Sequence, residues 1–79
     1  MMIEVLYFAW VREGVGKAQE RVDPPAEVKT VSDLIDWLRH EVLADKAKLR
    51  AAIDQRFVPL DAPITGAREV AIFPPVTGG

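Results

Sequence analysis

Seventy-nine residues, 49% of them hydrophobic, are enough for one small packed domain and too few for two. A net charge of −2 and a pI near 5.3 run against general nucleic-acid binding, and the absence of cysteine excludes disulfides, a thiolate metal site and a catalytic thiol. No apolar run approaches the roughly 20 residues of a membrane span and no signal-peptide pattern is visible, so a cytoplasmic protein with no membrane or nucleic-acid partner is expected.

Met2 to Ala9 is rich in β-branched and aromatic residues and predicts a strand. Alternation sets Ile3, Val5 and Tyr7 on one face and Glu4, Leu6 and Phe8 on the other, with Glu4 marking the more solvated side. Trp10 to Glu13 predicts one helical turn, and Gly14-Val15-Gly16-Lys17 a turn of the chain. Lys17 to Val22 reads as a second strand, antiparallel to the first and ended by Pro24-Pro25. Thr30-Val31-Ser32-Asp33 opens the main helix, with Thr30 as N-cap and Asp33 in the first turn, where a negative charge suits the helix dipole. Val31, Leu34, Ile35, Leu38 and Val42 recur at helical spacing and form a core stripe. Asp45 to Leu49 predicts a short second helix, and Ala51 to Val58 a third strand with an internal polar turn or bend. Leu60 to Gly66 is a loop anchored by Pro63 and Ile64. Glu69 to Phe73 is the last strand, with Val70 and Ile72 facing inward and Glu69, Ala71 and Phe73 outward.

This order predicts an α+β fold. A hairpin, a crossover helix and two further strands make a mixed sheet of four to five strands with one main helix on one face, the ubiquitin-like β-grasp arrangement. Residues 1–73 form the domain and residues 74–79 an extended C-terminal tail. Pro74 and Pro75 fix φ and lack a backbone N–H, so the tail leaves the domain stiff. Gly78 and Gly79 have no Cβ and fit a slot too narrow for any side chain. Such a tail reaches roughly 20 Å, which suits a terminus handed into another protein's active site. The reactive group is then the Gly79 α-carboxylate.

Elsewhere the chemistry is thin. His40, the only histidine, falls among charged residues and reads as a solvated surface side chain. Neither G-x-x-x-x-G-K-[ST] nor G-x-G-x-x-G occurs, and the acidic residues do not form a metal-ligand set. No cofactor or metal is expected on this chain, and it is not expected to be an enzyme by itself.

Three segments resemble a known family. Ile3-Glu4-Val5-Leu6-Tyr7-Phe8-Ala9 with Arg12-Glu13 and Gly16 resembles the opening of small sulfur-carrier proteins, and Ala51-Ala52-Ile53-Asp54-Gln55 with Phe57-Val58 their central strand. Glu69 to Phe73 followed by Pro74-Pro75-Val76-Thr77-Gly78-Gly79 resembles the ending of molybdopterin synthase small subunits, and this ending is far more specific than Gly-Gly alone. Asp54 stands where that family often has Asn, and Ala67-Arg68 where it commonly has a Gly-Asp-type turn.

The resemblance implies that a ubiquitin-activating-type partner adenylates Gly79 with ATP and magnesium. A sulfurtransferase system then supplies sulfur for a thiocarboxylate. The tail enters the large subunit of molybdopterin synthase and donates sulfur to cyclic pyranopterin monophosphate, forming molybdopterin within a heterotetramer. It implies that the catalytic groups lie on the large subunit. The other readings are a carrier for thiamine or tRNA thiolation, a protein modifier, or an interaction module without tail chemistry. Strand parity puts Phe8 and Phe73 on the outer sheet face, and exposed aromatics on one face suggest a protein interface. The resemblance assigns Phe8, Phe57 and Phe73 to contacts with both partners. Pro74, Pro75 and Arg12 complete the expected interface, and Arg12 and Arg68 are candidate polar contacts at the rim, with a solvated charge the alternative reading of each.

Overall fold

The structure, a computed structural model, describes residues 2–75. The five strands are β1 (Ile3–Tyr7), β2 (Gln19–Val22), β3 (Arg50–Ile53), β4 (Arg56–Val58) and β5 (Glu69–Phe73), joined in one mixed sheet of order β2-β1-β5-β3-β4. β1 and β2 form the expected antiparallel hairpin. β5 enters the centre, parallel to β1 and antiparallel to β3. The last strand is therefore held on both edges, and Pro74 leaves from the middle of the sheet.

The main helix, α2 (Val31–Leu38), starts where its capping residues demand. Thr30 Oγ1 accepts the Asp33 N–H at 3.1 Å, and Asp33 Oδ2 accepts the N–H groups of Lys29 and Thr30 at 3.1 and 3.3 Å. The Lys29 bond, with those of Thr30, holds the Asp33 carboxyl below its ordinary pKa. Val31, Leu34 and Ile35 are buried against Ile3, Val5, Val70 and Ile72 in one apolar cluster. Arg39, at φ 58°, ends the helix in the left-handed conformation. Val42 therefore belongs not to the helical stripe but to a 3₁₀ turn at Glu41–Leu43. The predicted helix at Asp45 to Leu49 is a 3₁₀ turn at Lys46–Lys48, tethered by Lys46 Nζ to Ser32 Oγ at 2.7 Å and Asp36 Oδ1 at 2.8 Å. The loop before β5 is anchored as expected: Ile64 is buried, and its N–H donates to the Lys29 carbonyl at 2.9 Å.

Three further features differ from the sequence reading. The turn expected at Trp10 to Glu13 is a full helix, α1 (Ala9–Val15), which takes in Gly14 and ends at Gly16, φ 90°. Gly14 is needed there because an added Cβ would lie 2.4 Å from Val42 Cγ2. The segment Ala51 to Val58, expected as one strand with an internal polar turn or bend, takes the turn and is two strands, the β3–β4 hairpin. Its two-residue loop, Asp54-Gln55, has φ of 48° and 72°, the two positive angles that a type I′ turn requires. Neither position is glycine, so the usual turn signal is absent.

His40 is the third difference. It follows the end of α2 and is mostly buried, with Nε2 2.9 Å from Glu20 Oε2 and its ring edge-on to Tyr7. The buried Tyr7 hydroxyl donates to the same carboxylate oxygen at 2.5 Å. Burial opposes the charge of Glu20, but bonds from Tyr7, His40 and Lys17 outweigh it and lower its pKa. Burial, reinforced by the neighbouring Glu20, raises the Tyr7 pKa. This set is a polar staple across β1, β2 and the segment after α2.

Candidate functional site

The side chains that alternate with the core residues cover the opposite, outer face of the sheet. Register aligns Leu6 with Ala71 and Ala71 with Ala52, and pairs Ala52 with Phe57 and Arg50 with Phe73. Paired residues point to the same side of a sheet. The small side chains of Ala52 and Ala71 therefore form a low floor, and Leu6, Phe8, Phe57 and Phe73 stand around it. The result is an open, mainly apolar concavity of about 500 Å³, also bordered by Gln55 and Glu69.

Phe57 is 83% exposed and Phe8 48% exposed, whereas Phe73 is half-buried. The Phe57 and Phe73 rings lie 5.6 Å apart at 46°, within the range of favourable aromatic pairs. A phenylalanine this exposed on a small domain gains little by burial in its own fold, yet three of them converge here. The tail root lies at the same end of the face. Phe8 donates its N–H to the Ile72 carbonyl at 3.3 Å, and Ala9, at φ 53°, bends the chain away immediately afterwards. Pro74 is half-buried and Pro75 exposed. Gly78 and Gly79 lie outside the described residues.

Arg12 is not part of the concavity. It sits exposed on α1, and its carbonyl accepts the capping N–H of Gly16 at 2.9 Å. A smaller polar hollow, about 430 Å³, opens beside the apolar one and is lined by Asp54, Gln55, Arg68 and Glu69. Arg68 therefore faces this hollow and not the apolar floor. Asp54 Oδ1 accepts the N–H groups of Arg68 and Glu69, both at 3.0 Å, and the Asp54 N–H donates to the Glu69 carbonyl at 3.0 Å. Asp54 Oδ1 thus pins the hairpin turn to the start of β5, a role that the amide oxygen of an Asn could fill as well.

Sequence reasoning put Leu6, Phe8, Ala71 and Phe73 on the outer face but missed Ala52, which with Ala71 makes the floor, and Gln55 as its polar border. Strand pairing alone reveals them. Among the described residues no group of three or more His, Asp or Glu side chains could hold a metal ion. Nor is any described helix long and apolar enough to cross a membrane.

These features define a β-grasp protein that covers one sheet face with its own helices and leaves an aromatic face open beside its tail. The ThiS family model matches residues 5–79, and the chain belongs to that family. It is 42% identical over 83 residues to the molybdopterin synthase sulfur carrier subunit of Escherichia coli (strain K12), a match covering 99% of this chain and 100% of the relative. Its fold is similar to that of small archaeal modifier protein 1 (SAMP1) from Haloferax volcanii, with a TM-score of 0.76 at 27% identity over 100% of both chains. It also resembles, in fold alone, a chain from a complex of subunits 1 and 2 of molybdopterin-converting factor from Helicobacter pylori 26695, with a TM-score of 0.61 at 19% identity over 100% of both chains.

Proposed function

We propose that this chain is the sulfur-carrier subunit of a molybdopterin synthase. The observation that carries this reading is the full-length similarity to the Escherichia coli sulfur carrier subunit. The open aromatic face beside the tail root supports it, because a carrier needs a partner surface next to its reactive end. The Gly79 carboxylate attacks the α-phosphate of ATP on an activating enzyme, releasing pyrophosphate and forming an acyl-adenylate. A persulfide of a sulfurtransferase system displaces AMP at that carbonyl, and a second thiol then cleaves the S–S bond of the acyl disulfide, leaving the thiocarboxylate and a disulfide on the donor side. The unbranched Gly79 gives attack its least hindered approach. The tail then enters the synthase large subunit, which supplies the acid–base groups, and donates sulfur to cyclic pyranopterin monophosphate. This chain binds no cofactor in the scheme; ATP and magnesium belong to the activating partner. The setting is the cytoplasm, and the assembly is a heterotetramer with a small subunit at each end.

The test is to incubate the purified chain with ATP, a cognate activating enzyme and a sulfur source, and to measure its intact mass. A gain equal to sulfur replacing oxygen, mapped to Gly79, is expected. No gain with an activating enzyme competent on another carrier would overturn the proposal. Gly78→Val should block thiocarboxylation or delivery while leaving the domain folded.

A further inference from the structure

The polar end of the outer face carries an arrangement that the fold itself does not use. Gln55 follows Asp54 in the left-handed region, at φ 72°, where a side chain costs conformational energy that glycine would avoid. The turn is nonetheless held rigidly by the three Asp54 bonds to Arg68 and Glu69. Gln55 borders both the apolar concavity and the polar hollow, and it is exposed. Among the described residues its side-chain amide makes no hydrogen bond, and the Arg68 and Glu69 side chains make no ion pair. An amide carried on a strained, firmly held turn, unpartnered within the described chain and at the seam of an apolar surface, is placed to meet something outside the chain.

We infer that Gln55 is a specificity-determining contact for the synthase large subunit proposed above, accepting and donating hydrogen bonds to one exposed peptide group of that partner. An amide offers one acceptor and two donors, matching the paired C=O and N–H of a main chain. Arg68 and Glu69 flank it with opposite charges, which favours a neutral group over a phosphate or a carboxylate. The apolar floor runs on directly from Gln55, so a partner segment that buries an apolar side chain there brings its own backbone to the amide. Apolar contact supplies the affinity, and the unsatisfied peptide group left by a mismatched partner supplies the discrimination.

This inference rests on the proposed large-subunit partnership, and the test separates the two. Binding of the full chain to the purified cognate large subunit is measured by calorimetry for the parent, Gln55→Ala and Gln55→Gly. Alanine keeps the left-handed strain and removes the amide, whereas glycine removes both. Both variants should bind about five- to tenfold more weakly, the loss of one or two neutral hydrogen bonds. Gln55→Gly should at the same time melt no lower than the parent. Parent-like affinity in both variants overturns the role of Gln55 and leaves the partnership intact. Weakening in Gln55→Gly alone assigns the effect to the turn backbone and also overturns it. A folded parent that does not bind the large subunit overturns the partnership, and this inference with it.

Discussion

β5 shows its two faces in five residues. Val70 and Ile72 are fully buried beneath the helices, while Glu69, Ala71 and Phe73, one position away, lie on a sheet face that nothing in the described chain covers. The two sides share the same backbone bonds and nearly the same hydrophobicity. They differ in what packs on them. The inner face obtains its stability from its own helices. The outer face buries its apolar side chains only in part, leaving Phe8 and Phe57 exposed and Leu6, Ala71 and Phe73 half-open, so that surface remains for a partner.

The sharpest test of that contrast is Ile72→Ala against Phe73→Ala. The buried isoleucine should cost about 3–4 kcal/mol, enough to lower Tm by roughly 15–25 °C in a domain of this size. Phe73→Ala should cost less than about 1.5 kcal/mol and instead weaken large-subunit binding, measured by calorimetry beside thermal melts. A comparable loss of Tm in both variants would break the contrast by making Phe73 a core residue.

Next comes packing tolerance on the helix side. Gly14→Ala gains helix propensity of about 1 kcal/mol but drives a Cβ into the stiff Val42 side chain. A net loss of about 1 kcal/mol is expected in urea titration. In a Val42→Gly background, which also removes the Cβ 2.5 Å from the added one, the same change should become neutral or stabilising.

The polar groups give a pH test of intermediate size. Glu20 and Asp33 both have lowered pKa values in the fold. Their contribution is present above the ordinary carboxylate range, about pH 4, and is lost as pH falls through the lower folded values. In that window the unfolded chain binds more protons, so Tm should fall from about pH 5 to about pH 3. Glu20→Gln should make the slope shallower, and an unchanged slope would show that the staple contributes nothing there.

The smallest effect is expected at the tail root. Ala9, exposed at φ 53°, carries a left-handed penalty of about 1–2 kcal/mol, of which glycine's greater unfolded freedom takes back about 0.4–1. Ala9→Gly should raise stability by about 0.5 kcal/mol, read from the denaturant midpoint. Destabilisation would mean that the alanine methyl packs usefully against the chain.

Much of this molecule was readable from local pattern. Alternation in Ile3 to Phe8 and in Glu69 to Phe73 determined which residues face the helices, because the strand period is two and does not depend on the neighbours. The Thr30–Asp33 cap determined where the main helix begins, since both partners lie within one turn. What pattern missed depended on residues far apart in sequence. His40 looked like a surface residue until the fold brought Glu20 and Tyr7 against it. The Asp54-Gln55 turn lacked a glycine signal, because bonds from Arg68 and Glu69 help hold a conformation that the local sequence does not favour. The concavity exists only once β5 lies between β1 and β3, setting Ala71 beside Ala52 within a ring of phenylalanines. Sequence alone determined the periodic faces and the cap, both governed by short-range sterics and hydrogen bonds. Tertiary structure alone decided the staple, the strained turn and the open aromatic face, because each is made by long-range pairing.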